Sequence, residues 1–173
     1  TMVRLAKLDD AKAIMTVIDD AKALFRQDGS DQWQDKDNYP HLEAITKDIN
    51  REEMYVNIRN NEVVGCIVLS SIKEEAYDGI YDGAWQQDGL YMVIHRIAVR
   101  KDYYHQGVAK EMMEEVINIA KMKQVGSIKV DTKLENKRMM TLLQLFGFKV
   151  VGKINLLRDG VLDKVRIALE LKL

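Results

Sequence analysis

A strand, a turn and a second strand in residues 54–69 limit the choice of fold more than any other part of the sequence. Apolar and polar residues alternate in Met54–Ile58, which predicts a strand with Asn57 on the face opposite its apolar residues. Asn60–Asn61 then offers a tight turn into the apolar run Val63–Leu69. The two strands form a hairpin, so the sheet is not wholly parallel. This disfavours a flavodoxin-like nucleotide-binding fold.

Strand and helix patterns follow one another along the rest of the chain. Further strands are predicted at Met2–Ala6, Tyr91–Val99, Ser127–Asp131, Phe148–Ile154 and Lys164–Leu173. A first helix is predicted at Ile14–Phe25 after a cap at Asp9-Asp10, and a second begins with Pro40 in its first turn and runs through Leu42 and Ile45 to Ile49. A third helix is predicted at Ala109–Ala120 and a fourth at Glu135–Phe146. In the fourth helix the residues expected to face inward are Met139, Leu142, Leu143 and Phe146. The order β-α-α-β-β-β-α-β-α-β-β predicts an α/β (α+β) fold, a mixed sheet flanked by helices.

Length and charge exclude several classes of protein. With 173 residues and 47% apolar content, the chain is expected to form one domain over residues 1–173. The 26 basic and 27 acidic side chains leave a net charge of -1, which disfavours nonspecific nucleic-acid binding. No apolar run approaches the roughly 20 residues that span a bilayer, and no signal-peptide core is present. We therefore expect a soluble, cytoplasmic protein, and a homodimer stays open.

The cysteine content restricts the chemistry further. Cys66 is the single cysteine, so the chain has no internal disulfide and no cysteine-based zinc cluster. It lies in an apolar run, where a thiol more often serves as a small buried hydrophobe than as a nucleophile. No metal site is expected.

The segment between the strand Tyr91–Val99 and the next helix carries the most informative chemistry. A helix N-terminus exposes unpaired N–H groups and the positive end of the dipole, so the loop before it can hold a diphosphate. The small residues Gly107 and Ala109 leave room for a ligand to approach the backbone of this loop closely. The alternative is an ordinary loop that binds no ligand. Two small residues alone do not decide between a diphosphate-binding loop and an ordinary one. The phosphate motifs G-x-x-x-x-G-K-[ST] and G-x-G-x-x-G are absent, which disfavours nucleoside triphosphatases and dinucleotide enzymes.

Three segments together resemble the GNAT-type N-acetyltransferases, which use acetyl-coenzyme A. They are His95–Val99, the loop ending in Gln106–Ala109, and the stretch from Asp131-Thr132 through Asn136 to Gly147-Phe148. The resemblance covers nearly the whole chain. It implies the fold of that family and acetyl-coenzyme A as co-substrate.

The resemblance also implies which residues bind the cofactor. The pyrophosphate signature of the family, Q/R-x-x-G-x-G/A, falls on Tyr104, His105, Gln106, Gly107, Val108 and Ala109. Tyr104 departs from the usual Gln or Arg, so one side-chain contact is lost and the main-chain cradle is kept. Main-chain groups of Ile97, Ala98 and Val99 are implied to bond the pantetheine arm and to polarise the thioester carbonyl.

The next helix contributes one implied ligand and one departure from the family. Asn136 matches the asparagine that contacts the pantetheine arm, by its spacing of eleven residues from Gly147. The alternative for Asn136 is a helix-terminal residue that bonds its own backbone. Leu143 stands where many relatives have a tyrosine that protonates the departing thiolate. The usual general acid is therefore absent from its usual place.

Attack on a thioester requires a neutral amine. An amine with a pKa near 10 is mostly protonated at pH 7, so a base must take its proton. His95 lies on the strand before the cofactor loop, where relatives often place a base, and we expect it to be catalytic. The alternative is a histidine packed on the strand with both nitrogens bonded.

Two acidic segments with aromatic residues are candidates for the acceptor site. The loop 27–38 and the insertion 70–90 together hold nine acidic residues and two lysines. Trp33 in the loop and Tyr81 in the insertion, which also contains Tyr77 and Trp85, would contact a cationic amine. The alternative is that these are solubilising loops with aromatic rings packed onto the sheet.

The sequence therefore predicts acetyl transfer from acetyl-coenzyme A to a small cationic amine by direct attack in a ternary complex. An acyl-coenzyme A binding or regulatory module without efficient turnover is the alternative, because Tyr104 and Leu143 depart from the family pattern.

Overall fold

A computed structural model describes residues 2–173 and gives the predicted order of strands and helices. The strands are β1 (Met2–Leu5), β2 (Met54–Arg59), β3 (Glu62–Ser70), β4 (Tyr91–Val99), β5 (Ser127–Thr132), β6 (Lys149–Asn155) and β7 (Val165–Lys172). The helices are α1 (Ala11–Gln27), α2 (Leu42–Asn50), α3 (Val108–Met122) and α4 (Lys137–Leu145). Short 3₁₀ turns lie at Leu8–Asp10, Glu75–Gly79 and Lys101–Tyr103.

The seven strands form one sheet in the order β1-β2-β3-β4-β5-β7-β6. Strands β1 and β2, β2 and β3, β5 and β7, and β6 and β7 pair antiparallel, whereas β4 and β5 pair parallel. The parallel register joins Tyr91–Val93 to Ser127–Lys129. The mixed sheet and the α+β class are confirmed.

The chain divides into two compact units. The first contains the residues up to Leu69 and His95–Val116. Its core forms where the apolar faces of α1 and α2 meet β2 and β3, and includes Ile14, Val17, Ile18, Ile45, Ile49, Met54, Val56 and Cys66. The helical spacing read from the sequence is therefore the spacing that is buried. The expectation of a single domain stays a prediction.

The second unit contains Ser70–Ile94 and Ile117–Leu173 and has its own core. Residues of the insertion pack there against the strands, in a cluster formed by Ala76, Tyr77, Val93, Val151, Ile154 and Ala168. The insertion is thus a packed part of this unit.

The hairpin of β2 and β3 forms as predicted, with one difference. Asn60 and Asn61 have φ of 51° and 61°, the left-handed conformation that a two-residue hairpin turn needs. Asn57, however, is fully buried and not on a solvent face. The pairing register of β2 shifts between Asn57 and Ile58, and this irregularity interrupts the simple alternation of faces.

The first turns of α1 and α2 differ from the prediction. The Asp10 side chain does not cap α1, because it accepts the N–H of Lys7 at 2.8 Å and pairs with Arg4. Helix α2 begins at Leu42, which is exposed, and Pro40 lies before the helix. The predicted first-turn position of Pro40 is wrong because His41 is the N-cap.

Helix α4 is shorter than predicted and buries less. It runs over Lys137–Leu145, with Asn136 at its N-cap, and Leu143 is its one buried residue. Met139, Leu142 and Phe146 are partly buried, so of the four residues predicted to face inward only Leu143 is fully buried.

None of the helices in residues 2–173 combines the length and the apolar character needed to cross a membrane.

Candidate functional site

The loop that enters α3 contains two residues with left-handed backbone. His105 and Gly107 have φ of 62° and 80°, both left-handed. A Cβ added to Gly107 would meet no atom within 4 Å, so the space in front of this residue is open. The Gly107 carbonyl accepts the N–H of Glu111 at 3.1 Å and so begins the helix. The N–H groups of the first helical turn have no partner within the helix.

Two side chains of the same loop bond main-chain carbonyls of the protein. The Tyr104 hydroxyl donates to the Asp20 carbonyl at 3.5 Å, and Gln106 Nε2 donates to the Asp102 carbonyl at 3.1 Å. His105 is exposed. An anion held by this loop would therefore be bonded mainly by main-chain N–H groups at the positive end of the helix dipole, which suits a diphosphate.

The helix that begins here is held on the sheet by apolar packing. Val108, Met112, Met113 and Val116 are buried, and Ala109 is partly buried. Packing of this stripe fixes the axis of α3, so the N–H groups of its first turn have a fixed direction.

Strand β4 carries an irregularity at Arg96. Its φ is 49°, although a strand residue normally has negative φ. Its guanidinium forms two hydrogen bonds to Asp48 of α2, at 2.6 and 2.9 Å, and a third to the Tyr39 hydroxyl at 2.7 Å. A left-handed residue costs stability unless its surroundings hold it, and these three bonds hold Arg96 in place.

His95, the residue before Arg96, is a neutral imidazole at pH 7. Burial, together with the positive charge of Arg96, lowers the pKa of His95 to about 3. A neutral imidazole can accept a proton, but a base works best when its pKa lies near the working pH. Whether His95 is the catalytic base stays a prediction.

The residues predicted to bind the pantetheine arm at the end of β4, Ile97–Val99, have apolar side chains, so only their main-chain groups could form hydrogen bonds with it. Ala98 is buried in the core of the first unit, and Ile97 and Val99 are partly buried. The N–H of Arg100 is already bonded to the Val64 carbonyl at 2.8 Å. The roles of these three β4 residues in binding stay predictions.

Asn136 caps α4. Its Oδ1 accepts the N–H of Met139 at 3.2 Å, which is the helix-terminal bond named above as the alternative. Contact of Asn136 with a pantetheine arm stays a prediction. Leu143 is fully buried, so its side chain belongs to the core.

The loop that contains Trp33 is tied to α1. The Trp33 ring packs edge-to-face on Phe25, with ring centroids 5.5 Å apart, and adjoins the core of the first unit. The Lys22 ammonium, almost fully buried in α1, donates to the carbonyls of Asn38 and Pro40 at 2.6 and 2.8 Å. These contacts fix both the middle and the end of the loop.

Aromatic residues of the insertion are bonded within the second unit. Tyr77 is buried, and its hydroxyl donates to Asp131 at 2.7 Å, while Trp85 Nε1 donates to the Tyr77 carbonyl at 2.8 Å. The Tyr81 backbone exchanges two hydrogen bonds of 2.9 Å with Lys153 of β6. Its hydroxyl donates to Asn155 at 3.0 Å. The rings of Tyr77 and Trp85 therefore follow the alternative reading, in which they pack onto the sheet.

A lysine of this chain lies against the ring of Trp85. Lys129 Nζ is 4.5 Å from the centroid of Trp85 and 3.8 Å from that of Tyr91. Burial lowers the pKa of Lys129 despite the nearby Glu170. The Trp85 ring therefore already has a cation–π partner from within the protein.

Sequence reasoning missed two groups of residues. It did not predict the ion pair of Arg96 with Asp48, since the two are far apart along the chain and no motif marks them. It also did not predict the burial of Asn57. The one available signal was an asparagine inside a strand, a position where asparagine is rare.

The predicted absence of a metal site stays a prediction. Among residues 2–173, no three His, Cys, Asp or Glu side chains are grouped so that they could hold a metal ion.

Comparisons with known proteins agree on one family. The sequence model of the acetyltransferase (GNAT) family matches residues 18–148. A GNAT-family acetyltransferase structure from Streptococcus agalactiae is 31% identical, with a TM-score of 0.89 over 99% of this chain and 95% of that one. No curated protein matches the chain significantly.

More distant structures share the fold. A putative acetyltransferase from Staphylococcus aureus is 28% identical, with a TM-score of 0.73 over 99% of both chains. A ribosomal-protein-alanine N-acetyltransferase from Brucella melitensis is 16% identical, with a TM-score of 0.70 over the full length of both chains. At that identity the second likeness supports the fold alone.

Proposed function

The chain belongs to the acetyltransferase (GNAT) family, and on that premise we propose that it transfers an acetyl group from acetyl-coenzyme A to a small cationic amine. Transfer of an acyl group from acetyl-coenzyme A to an amine is the activity of the family. The small, cationic character of the acceptor and direct attack in a ternary complex are our proposal. The alternative of a binding module without turnover loses support, since the similar structures are described as acetyltransferases.

The observation that carries the proposal is the open glycine at the start of α3. Gly107 provides a left-handed turn with free space in front of it, and the helix dipole behind it favours negative charge. These features fit the diphosphate of coenzyme A. Tyr104, which replaces the usual Gln or Arg, is turned toward Asp20, and this supports binding through the main chain of Tyr104–Ala109.

When bound, acetyl-coenzyme A supplies an activated acetyl group as a thioester. We propose that main-chain groups of Ile97–Val99 orient the pantetheine arm and polarise the thioester carbonyl. We further propose that Asn136 contacts the same arm. Arg96 supports the first role, because its three hydrogen bonds fix the backbone just before Ile97.

His95 is our proposed acceptor of the proton of the amine. Its lowered pKa keeps the ring neutral throughout the physiological range, so no proton has to leave it before it can act. The same low pKa makes it a weak base. If His95 acts, protonation of the ring near pH 3, and not near pH 6.5, marks its titration.

Exposed carboxylates support a cationic acceptor. Glu75, Asp78 and Asp88 of the insertion and Asp37 of the loop are exposed to solvent. They give both segments a negative surface, which attracts an amine in its protonated form. Contacts of the acceptor with Trp33 and Tyr81 stay predictions. Trp85 is not included in the proposal, because Lys129 lies on its ring.

Two measurements on the purified protein test this function. Calorimetry with coenzyme A tests the cofactor, and release of free thiol from acetyl-coenzyme A in the presence of a panel of amines tests transfer. The panel should include polyamines, aminoalkyl compounds, amino acids and anionic amines. We expect thiol release above the acceptor-free background with the cationic amines. Binding of coenzyme A without thiol release for any amine would return the chain to the class of binding modules.

A further inference from the structure

The first turn of α3 rests directly on the hairpin of β2 and β3, at a glycine. A Cβ added to Gly65 in β3 would lie 2.7 Å from Cγ1 of Val108 and 2.9 Å from Cε of Met112. Real Cβ contacts are essentially never below 3.0 Å, so a larger residue would displace these side chains. Val108 has a short branched side chain and cannot move far without its backbone. Glycine at position 65 therefore sets how closely α3 approaches the sheet.

Asn57 of β2 bonds the same residue of the helix. Its side chain is fully buried, and Nδ2 donates to the Val108 carbonyl at 3.3 Å. Its Oδ1 has no hydrogen-bond partner among residues 2–173. An apolar residue would avoid this unsatisfied oxygen, so stability alone does not explain an asparagine here.

The hairpin also holds both sides of the loop before α3. Asn60 Nδ2 donates to the Tyr103 hydroxyl at 3.0 Å, on the side before the loop. Arg59 pairs with Glu111, on the side after it. The loop Tyr104–Ala109 thus lies between two points that the hairpin fixes.

From these contacts we infer that Asn57 and Gly65 are positioning residues, which set the place of the first turn of α3 and thereby the affinity for the diphosphate of coenzyme A. The inference rests on the proposed function, since it assumes that this turn bonds the diphosphate. An N–H group bonds a phosphate oxygen only over a narrow range of about 2.7–3.2 Å. A small shift of the turn therefore costs affinity while the fold is kept.

The first test is Gly65→Ala, with calorimetry of coenzyme A binding. We expect the dissociation constant for coenzyme A to rise about tenfold, which corresponds to one lost good hydrogen bond. Binding of pantetheine, which lacks the diphosphate, should be unchanged when it is titrated by NMR. The matched control is Gly79→Ala, because a Cβ there meets no atom within 4 Å. Its affinity should equal that of the wild type.

A second substitution tests the cause. Val108→Ala removes the nearer of the two atoms that the new Cβ of Gly65→Ala would strike, and the other is the flexible end of Met112, so the double variant should regain most of the affinity for coenzyme A. A double variant as weak as Gly65→Ala would contradict the proposed geometry.

Asn57→Leu separates positioning from stability. It replaces the half-satisfied amide with an apolar group of similar size, so the thermal unfolding temperature should stay or rise. The dissociation constant for coenzyme A should nevertheless rise threefold or more. If Asn57 had only a structural role, its loss would weaken coenzyme A binding only together with a lower unfolding temperature. This variant keeps the inference testable if Gly65→Ala does not fold.

Failure of the inference is distinguishable from failure of the proposed function. A wild-type protein that shows no binding of coenzyme A overturns both. Wild-type binding that Gly65→Ala and Asn57→Leu leave unchanged overturns the positioning role alone.

Discussion

The loop before α3 and the insertion 70–90 use glycine for opposite purposes. Gly107 has a positive φ and open space where a side chain would be. Gly83 in the insertion also has a positive φ, of 151°, but an added Cβ would lie 1.9 Å from the Val151 carbonyl oxygen. The space beside Gly107 is open, whereas Gly83 lets the insertion approach the backbone of Val151 closely. The residue type alone does not distinguish them.

Charge and aromatic content follow the same contrast. The loop before α3 has few features of composition that mark a binding site, and its side chains Tyr104 and Gln106 bond main-chain carbonyls of the chain. The insertion has acids and rings that suggest a site, yet Tyr77 and Trp85 are bonded within their own unit. Composition therefore could not show that Tyr77 and Trp85 are engaged by the chain itself, and the contacts predicted for Trp33 and Tyr81 stay predictions.

The largest expected effect is that of Gly107→Glu, in the open loop before α3. It places a negative side chain in the space proposed for the diphosphate, so we expect affinity for coenzyme A to fall by about 100-fold or more. The variant should still fold, because the added Cβ meets no atom. Gly107→Ala is the matched control, since it carries the same backbone strain without bulk or charge. Calorimetry that gives equal affinities for the two variants would remove the cofactor from this loop.

His95→Gln should lower turnover by about 10²- to 10⁴-fold, the contribution of a positioned base, and leave coenzyme A binding intact. A base must be unprotonated to act, so its contribution is lost as the pH falls through its pKa of about 3. We therefore expect the ratio of wild-type to variant kcat/KM to stay constant from about pH 8 to about pH 5. The ratio cancels the titration of the amine. A loss of turnover under about threefold would assign the proton to water or another group.

Gly83→Ala tests the close packing of the insertion against Val151. The Val151 carbonyl leaves no space for a Cβ, so we expect the free energy of unfolding to fall by roughly 1–3 kcal/mol, as for other overpacked sites. Gly79→Ala, in the same insertion but with open surroundings, should change it by less than about 0.5 kcal/mol. Chemical denaturation measures both. Equal stabilities would mean that the insertion is not packed as closely as described.

The smallest expected effect concerns the acidic surface of the insertion. Neutralising Glu74, Glu75 and Asp78 together should raise the acceptor KM about two- to fivefold, because exposed charges act weakly through water. Added salt should also raise the wild-type KM, since the Debye length is about 8 Å at physiological ionic strength. An acceptor that is anionic, or a KM insensitive to both changes, would make the acidic surface a matter of solubility only.

Much of the fold could be predicted because its signals are local. The apolar spacing of α1 and α3 and the Asn60–Asn61 turn depend on neighbours along the chain, and each is confirmed. The cap of α2 could not be predicted in the same way. His41 is an unusual cap, and its imidazole accepts the N–H of Ala44 only in the geometry that the folded loop provides.

The candidate site was less accessible to sequence reasoning, because its supports are distant along the chain. Gly107 was found through a short motif, but the burial of Asn57 depends on an irregular register in β2. The pairing of Arg96 with Asp48 joins a strand to a helix 48 residues earlier. The lowered pKa of His95 likewise arises from burial, which the sequence of β4 does not reveal.

The two hydrogen bonds between Tyr81 and Lys153 have a consequence for aggregation. Strand β6 is the last strand of the sheet, and a bare outer strand offers its N–H and carbonyl groups as a template for another chain. Tyr81 and Ala84 bond the backbone of β6 at Lys153 and Val151, so part of this template is already filled. A second chain that added itself to this edge would first have to peel the insertion away. The insertion thus covers part of the β6 edge and hinders edge-to-edge association of sheets from different chains.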